Sequence, residues 1–158
     1  MSQMPAVGSA APLFRLNSST GSEISLEDLK GGRVVLYFYP RADTPGCTKE
    51  ACGFRDALTE YEKARVTVLG ISPDSPKDVQ KFAKKFHLNF PLLADEDHAI
   101  AEKYGTWQQK SFMGRKYMGV ARTTFVIDEA GKIKKIFEKV KPAGHEKEVM
   151  AWLRGAES

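Results

Sequence analysis

Cysteine is scarce in this chain of 158 residues, and Cys47 and Cys52 are the only two. Two cysteines cannot build the multi-bridge framework of a small secreted domain, so we expect a reducing, cytoplasmic setting. Long apolar runs are also lacking, and no stretch reaches the roughly 20 residues that a membrane span requires. Residues 1–12 have no basic segment followed by an apolar run, so no signal peptide is predicted.

Charge of one sign is not concentrated anywhere in the chain. The 24 basic and 20 acidic residues give a net charge of +4, and no basic block is interleaved with aromatic residues, so binding to nucleic acid is not predicted. The three histidines, His87, His98 and His145, have no metal-type spacing. Two thiolates need further ligands to hold zinc, so a metal site is disfavoured.

Internal repeats, linkers and low-complexity segments are absent from the sequence. We therefore expect one domain over residues 1–158, with residues 1–12 as a loosely held N-terminal arm. Apolar and β-branched runs predict buried strands, and apolar residues at steps of three and four predict helices. Strands are predicted at 34–39, 66–72, 124–128 and 133–138, helices at 44–64, from 75, at 97–104 and at 145–153, and a hairpin at 107–119.

The order of these elements predicts an α/β fold. Helical crossovers between the early strands imply parallel pairing, and the late pair of strands implies an antiparallel hairpin. The expected architecture is a central mixed β-sheet flanked by helices on both faces.

The segment from Thr44 to Cys52 begins a predicted helix. Thr44 suits the N-cap and Pro45 suits the first helical position, which puts Cys47 in the first turn. Free backbone N–H groups and the helix macrodipole favour a thiolate over a thiol there, and they also favour a polar oxygen substrate. Nucleophile and substrate pocket would then coincide.

Cys52 lies five residues after Cys47, about 8–9 Å away between Cα atoms in an intact helix. A disulfide needs a Cα separation below about 7 Å. The two thiols therefore either never join, or join only when the start of the helix unwinds. Gly46 and Gly53 would ease unwinding because glycine weakens a helix interior.

Other interpretations of the two cysteines are less favoured. Small buried cysteines without chemistry are common in helices. A thioredoxin-style dithiol exchanger would need two intervening residues, whereas four stand between Cys47 and Cys52. A structural disulfide within one intact helix is excluded by distance.

The Pro-x-x-x-Thr-x-x-Cys pattern of Pro40, Thr44 and Cys47 resembles the active-site signature of the peroxiredoxins. A second cysteine five residues on is similar to the branch called bacterioferritin comigratory protein or PrxQ. Similarity extends to residues 8–14 and 107–117 and to the segment 119–128, which contains Arg122, so that it covers essentially the whole chain.

The resemblance implies a thioredoxin-like fold with extra N-terminal strands and peroxide reduction without metal, haem or flavin cofactors. It further implies that Thr44 and Arg122 donate hydrogen bonds to the peroxide, that Pro40 packs over the sulfur, and that Cys52 resolves the sulfenic acid of Cys47. Thioredoxin would then recycle the disulfide, with glutaredoxin or glutathione as alternatives. Simpler roles are a helix cap for Thr44, a strand end for Pro40 and a surface ion pair for Arg122.

The runner-up function is a thioredoxin-fold binding protein or holdase with idle cysteines. No proline lies between Leu92 and Lys141, which argues against a general protein-disulfide exchanger. We expect a monomer or a weakly associated protein, in which Phe112 and Tyr117 line a substrate groove or an interface. Glu50 resembles a position that this branch usually keeps, but a first-turn acid that complements the helix dipole is the simpler interpretation, and Glu50 is left outside the predicted site.

Overall fold

A five-stranded sheet forms the centre of the computed structural model, which describes residues 3–156. Two small two-stranded sheets and four helices surround it. In chain order the strands are β1 (Arg15–Asn17), β2 (Glu23–Ser25), β3 (Arg33–Phe38), β4 (Val66–Ser72), β5 (Leu92–Ala94), β6 (Trp107–Phe112), β7 (Arg115–Val120), β8 (Thr123–Ile127) and β9 (Ile133–Phe137), and the helices are α1 (Pro45–Lys63), α2 (Pro76–Lys85), α3 (Ala99–Lys103) and α4 (His145–Ala156).

The strand order β5-β4-β3-β8-β9 confirms the predicted mixed sheet. β3, β4 and β5 run parallel because α1 and α2 carry the chain back across the sheet between them. β8 and β9 run antiparallel and complete the other side. The central strand β3 is therefore flanked by β4 and β8, and its carboxyl end leads directly into the loop before α1.

Alternation along β3 divides the core into two layers. Val35 and Tyr37 face a cluster that includes the apolar sides of α1, α2 and α4. Leu36 and Phe38 face the opposite cluster, which includes α3 and the N-terminal strands. All four side chains are buried, so both faces of the sheet are covered, as the uninterrupted apolar sequence of this strand predicts.

The N-terminal segment is attached more firmly than predicted. Gly8 N–H donates to the Ile133 carbonyl, Ala11 N–H donates to the Gly131 carbonyl, and Ile133 N–H donates back to Ser9. Ala11 is also buried. The expectation of a loosely held arm is therefore wrong for residues 8–11, because they extend the pairing at the edge strand β9. Residues 1 and 2 lie outside the described residues.

Two antiparallel strand pairs lie outside the central sheet. Residues 18–22 connect β1 to β2, which is followed by a 3-10 helix over Glu27–Leu29 with Leu26 at its N-cap. The predicted hairpin around Gly114 is formed by β6 and β7, where that residue adopts a left-handed φ of 80°.

Among residues 3–156, no helix has both the length and the apolar character that a bilayer-spanning segment requires.

Candidate active site

The start of α1 presents Cys47 beside unpaired backbone donors. Thr44 occupies the N-cap position and Pro45 the first helical position, as predicted. The first intrahelical hydrogen bond runs from Thr48 N–H to the Thr44 carbonyl, at 2.8 Å. The N–H groups of Gly46 and Cys47 thus precede the helical ladder and point out of the positive end of the helix.

The hydroxyl of Thr44 does not cap the helix. It donates instead to the Arg41 carbonyl at 3.0 Å, within the loop that joins β3 to α1. That loop is held from outside as well, because Asp74 accepts a 2.8 Å hydrogen bond from Ala42 N–H and a 2.7 Å hydrogen bond from the Ser72 hydroxyl. Asp74 thus attaches the loop to the end of β4, so the position of the loop does not depend on the Thr44 side chain acting as a helix cap.

Cys47 and Arg122 meet although 75 residues separate them in the chain. Arg122 Nη2 lies 3.4 Å from Cys47 Sγ. Its other terminal nitrogen, Nη1, donates a 2.6 Å hydrogen bond to Glu50 Oε1. The cysteine is 1% exposed and packs among apolar residues, whereas the arginine side chain keeps 17% exposure. The guanidinium therefore lies between the sulfur and the surface.

Burial and charge act against each other in this cluster. Burial raises the pKa of Glu50 to about 7, although the charge and hydrogen bond of Arg122 lower it. Burial alone would lower the pKa of Arg122, but the negative charges of Cys47 and Glu50 raise it overall. The guanidinium consequently stays charged, while the carboxyl group is poised near neutral pH.

A segment after β9 packs over the first turn of α1. Val140 N–H donates to the Arg122 carbonyl at 3.2 Å. A methyl group added to Gly46 would lie 3.4 Å from Pro142 Cγ and 3.3 Å from Arg122 Nη2. The absence of a side chain at Gly46 thus lets both the arginine and this segment approach the turn that carries Cys47.

Cys52 lies on another flank of α1. Both cysteines are free thiols, and Cys52 is half-buried. Five residues at 100° each turn the two side chains about 140° apart around the helix axis, so they do not face one another. Next to Cys52 on this flank, Arg55 donates a 2.7 Å hydrogen bond to the Phe86 carbonyl at the end of α2. Because α1 is wound from Pro45 onward, a bond between the thiols requires its first turns to open.

The structure thus brings together Cys47, Arg122 and the Thr44 loop, and it places Cys52 apart from them. Pro40, two residues beyond β3, is half-buried. The sequence prediction missed Glu50 as a partner of Arg122. A signal existed, since Glu50 lies three residues after Cys47 and hence on the same buried helix face, where a carboxylate needs a cation or a proton.

Within the described range, no group of three or more histidine, cysteine, aspartate or glutamate side chains is arranged to hold a metal ion.

Comparison with known proteins relates this arrangement to one family. The sequence profile of the AhpC/TSA family matches residues 7–136. The chain is 49% identical over 147 residues to peroxiredoxin Bcp of Escherichia coli strain K12, a match that covers 93% of this chain and 94% of that protein.

Solved structures agree in fold with the chain. A cysteine mutant of Xylella fastidiosa PrxQ superposes with a TM-score of 0.93 at 30% identity, covering 100% of both chains. The bacterioferritin comigratory protein of Xanthomonas campestris, described with alkyl peroxide reduction activity, superposes with a TM-score of 0.87 at 34% identity over 92% of each chain. The thioredoxin-like fold predicted from the sequence is thereby confirmed.

Proposed function

Because the chain belongs to the AhpC/TSA family and is a peroxiredoxin of the Bcp/PrxQ type, we propose that it reduces hydrogen peroxide and organic hydroperoxides through Cys47, with Cys52 as resolving thiol. The observation that carries the proposal is the 3.4 Å contact between Arg122 Nη2 and Cys47 Sγ at the N-terminus of α1. A cation and free N–H groups there favour the sulfur as thiolate, the form that attacks an O–O bond.

In the first step the Cys47 thiolate attacks one peroxide oxygen, and the O–O bond breaks. The sulfur loses two electrons and becomes a sulfenic acid, while the departing oxygen takes a proton and leaves as water or an alcohol. Negative charge grows on the departing oxygen, so donors directed at it lower the barrier. Arg122 and the N–H groups at the helix start are such donors, and Thr44 joins them when its hydroxyl turns from the Arg41 carbonyl.

Peroxide approaches from the side of Arg122, which retains surface exposure beside the nearly enclosed sulfur. In keeping with the family resemblance, Pro40, at the start of the loop that leads to Thr44, packs over the Cys47 sulfur and restricts water there. Exclusion of bulk water strengthens the interaction between the guanidinium and the developing charge.

In the second step Cys52 attacks the Cys47 sulfenic acid. A disulfide forms and the sulfenic oxygen leaves as water. Since both thiols are free and the helix between them is intact, the first turns of α1 open before this bond forms. A dithiol protein of the thioredoxin type then exchanges with the disulfide through a mixed disulfide and restores both thiols, with glutaredoxin or glutathione as alternative reductants. The protein works in the cytoplasm as a monomer.

A coupled assay tests this function. Peroxide is added to the protein with thioredoxin, thioredoxin reductase and NADPH, and NADPH oxidation is followed. Wild-type protein should turn over continuously and Cys47→Ser should be inactive. Cys52→Ser should complete one turnover and then depend on an added small thiol. Normal recycling of Cys52→Ser by thioredoxin would remove the resolving role, and full activity of Cys47→Ser would remove Cys47 as the nucleophile. Failure of the wild-type protein to oxidise NADPH would remove the peroxidase proposal in favour of a binding protein with idle cysteines.

A further inference from the structure

A lysine of the β6–β7 hairpin reaches toward the segment that carries Arg122. Lys110 lies in β6, paired with Tyr117 in β7. Its aliphatic stem crosses Gly119, where an added methyl group would lie 3.3 Å from Lys110 Cδ. Its Nζ donates a 3.0 Å hydrogen bond to the carbonyl of Val120, two residues before the active-site arginine. The Lys110 side chain can cross here because Gly119 has no side chain.

The Val120 contact is one of three that fix consecutive carbonyl groups. The next carbonyl, of Ala121, accepts a 2.8 Å hydrogen bond from the Thr123 hydroxyl. The Arg122 carbonyl accepts from Val140 N–H. Hydrogen bonds therefore hold the short link between β7 and β8 at each residue. Of the three donors, only the Lys110 ammonium, bound to the Val120 carbonyl, carries a charge. This link determines where the guanidinium of Arg122 can lie.

The ammonium of Lys110 has no carboxylate partner among the ion pairs of residues 3–156. Burial lowers its pKa and the nearby charge of Arg122 lowers it further, while the negative charge of Cys47 raises it. Two half-buried cations thus act on one sulfur. Two cations this close need negative charge nearby. Glu50 pairs with Arg122, and the negative charge of Cys47 acts to raise the pKa of both Lys110 and Arg122.

We propose that Lys110 is a positioning residue of the active site: its ammonium fixes the Val120 carbonyl, and through it Arg122, and adds positive charge that favours the Cys47 thiolate. This inference rests on the proposed peroxidase function, but its first consequence, the ionisation of Cys47, exists without any peroxide. Lys110 acts through the backbone and through its field, and it does not itself contact the sulfur.

The test compares Lys110→Met and Lys110→Arg with Lys116→Met, all made in a Cys52→Ser background so that a single thiol titrates. Lys116 is exposed on the same hairpin, opposite Ser111, and is the matched control for the loss of one positive charge. The first readout is the pH at which half of Cys47 is ionised, from thiolate absorbance and from the pH dependence of alkylation. The second is the rate constant for oxidation by hydrogen peroxide.

Lys110→Met should raise that midpoint by about half a pH unit or more, as expected for a unit charge in partly solvated surroundings. It should also slow oxidation by about fivefold, less than the loss of a direct donor to the reacting oxygen. Lys110→Arg should keep the midpoint and the oxidation rate close to those of the parent protein, and Lys116→Met should match the parent protein in both.

Equal midpoints and rates in Lys110→Met and Lys116→Met would overturn the inference. Should Lys110→Met unfold, as a lost thermal transition would reveal, Lys110→Gln replaces it with the same two readouts, since the amide can still donate a hydrogen bond without charge. If the wild-type protein fails to reduce peroxide, the proposed function falls, while the midpoint of Cys47 still decides the role of Lys110.

Discussion

Arg122 donates a 2.6 Å hydrogen bond to Glu50, a carboxylate whose side chain has no exposed surface. The guanidinium is thereby fixed on one side before any peroxide binds, and its remaining terminal nitrogen is left for Cys47. An arginine prepared in this way loses little conformational entropy during the reaction, which is the advantage of a positioned donor over a mobile one.

Replacing Arg122 by another cation should therefore lower the reaction rate even though the positive charge is kept. Lysine at position 122 keeps the positive charge but cannot bond Glu50 and face Cys47 with two nitrogens of one rigid plane. We expect Arg122→Lys to lower the rate constant with hydrogen peroxide by about 100-fold, the range seen when one positioned donor to a developing anion is removed. Stopped-flow fluorescence or competition with a reference peroxidase measures this rate.

The control is Arg154→Lys, because Arg154 forms an exposed ion pair with Glu60 on the outer surface of α4. A rate for Arg122→Lys within twofold of this control would show that Arg122 needs only its charge.

The raised pKa of Glu50 gives stability a defined pH dependence. Burial lifts its pKa from 4.5 to about 7 in the folded protein. Between these values the folded state holds a proton that the unfolded state releases, so the stability of the wild-type protein contains a term that falls as pH rises from about 5 to 8. Glu50→Gln lacks this term. The difference in unfolding free energy between wild type and Glu50→Gln should shift by at most about 3 kcal/mol over this range.

Urea denaturation of both proteins at several pH values measures that difference. His145 acts in the opposite direction, because burial lowers its pKa and its term therefore grows with pH. Since His145 is common to both proteins, it cancels in the comparison. Parallel stability profiles would mean that Glu50 stays ionised throughout this range.

Substitution of Gly46 tests how closely Arg122 must approach the turn that carries Cys47. An alanine there would have its methyl group 3.3 Å from Arg122 Nη2 and 3.4 Å from Pro142 Cγ, so both neighbours must move by a few tenths of an ångström. Gly46→Ala should lower the peroxide rate constant by about threefold to tenfold, since misplacement of a catalytic group by 1 Å costs about 100-fold.

Gly155→Ala is the matched control for this change, because Gly155 is also helical and a methyl group added to it meets no atom of residues 3–156 within 4 Å. Similar peroxide rates in Gly46→Ala and Gly155→Ala would show that Arg122 tolerates the displacement.

Opening of α1 should be visible by hydrogen exchange. In reduced protein the amides from Thr48 to Gly53 are within the helix and should exchange slowly. After one equivalent of peroxide the wild-type protein should lose this protection as the disulfide forms, whereas Cys52→Ser should keep it. Mass spectrometry of the same samples should find disulfide before sulfinic acid in the wild-type protein. Retained protection in a fully disulfide-bonded wild-type sample would contradict the unwinding step.

Local sequence determined the elements that carry the site. The apolar run of β3 and the Thr44-Pro45 helix start placed Cys47 in the first turn, and the structure agrees closely with those boundaries. Such features depend on neighbours within a few residues, so the sequence displays them directly. The role of Glu50 was harder to see, because the sequence predicts it as a first-turn acid, which has an adequate local explanation. In the structure the first turn of α1 contains no acidic residue, and Glu50 is buried against Arg122.

Tertiary packing, in contrast, brings distant groups to that turn. Antiparallel pairing of β3 with β8 brings Arg122 to Cys47 across 75 residues, and the β6–β7 hairpin brings Lys110 to the backbone behind it. Hydrophobic periodicity and caps predict the secondary structure of one segment. The contacts of Arg122 and Lys110 depend instead on strand order and register, because these are fixed by burying both faces of the sheet at once. A nucleophile at the start of a helix therefore follows from local sequence, whereas the packed sheet fixes the charges that surround it.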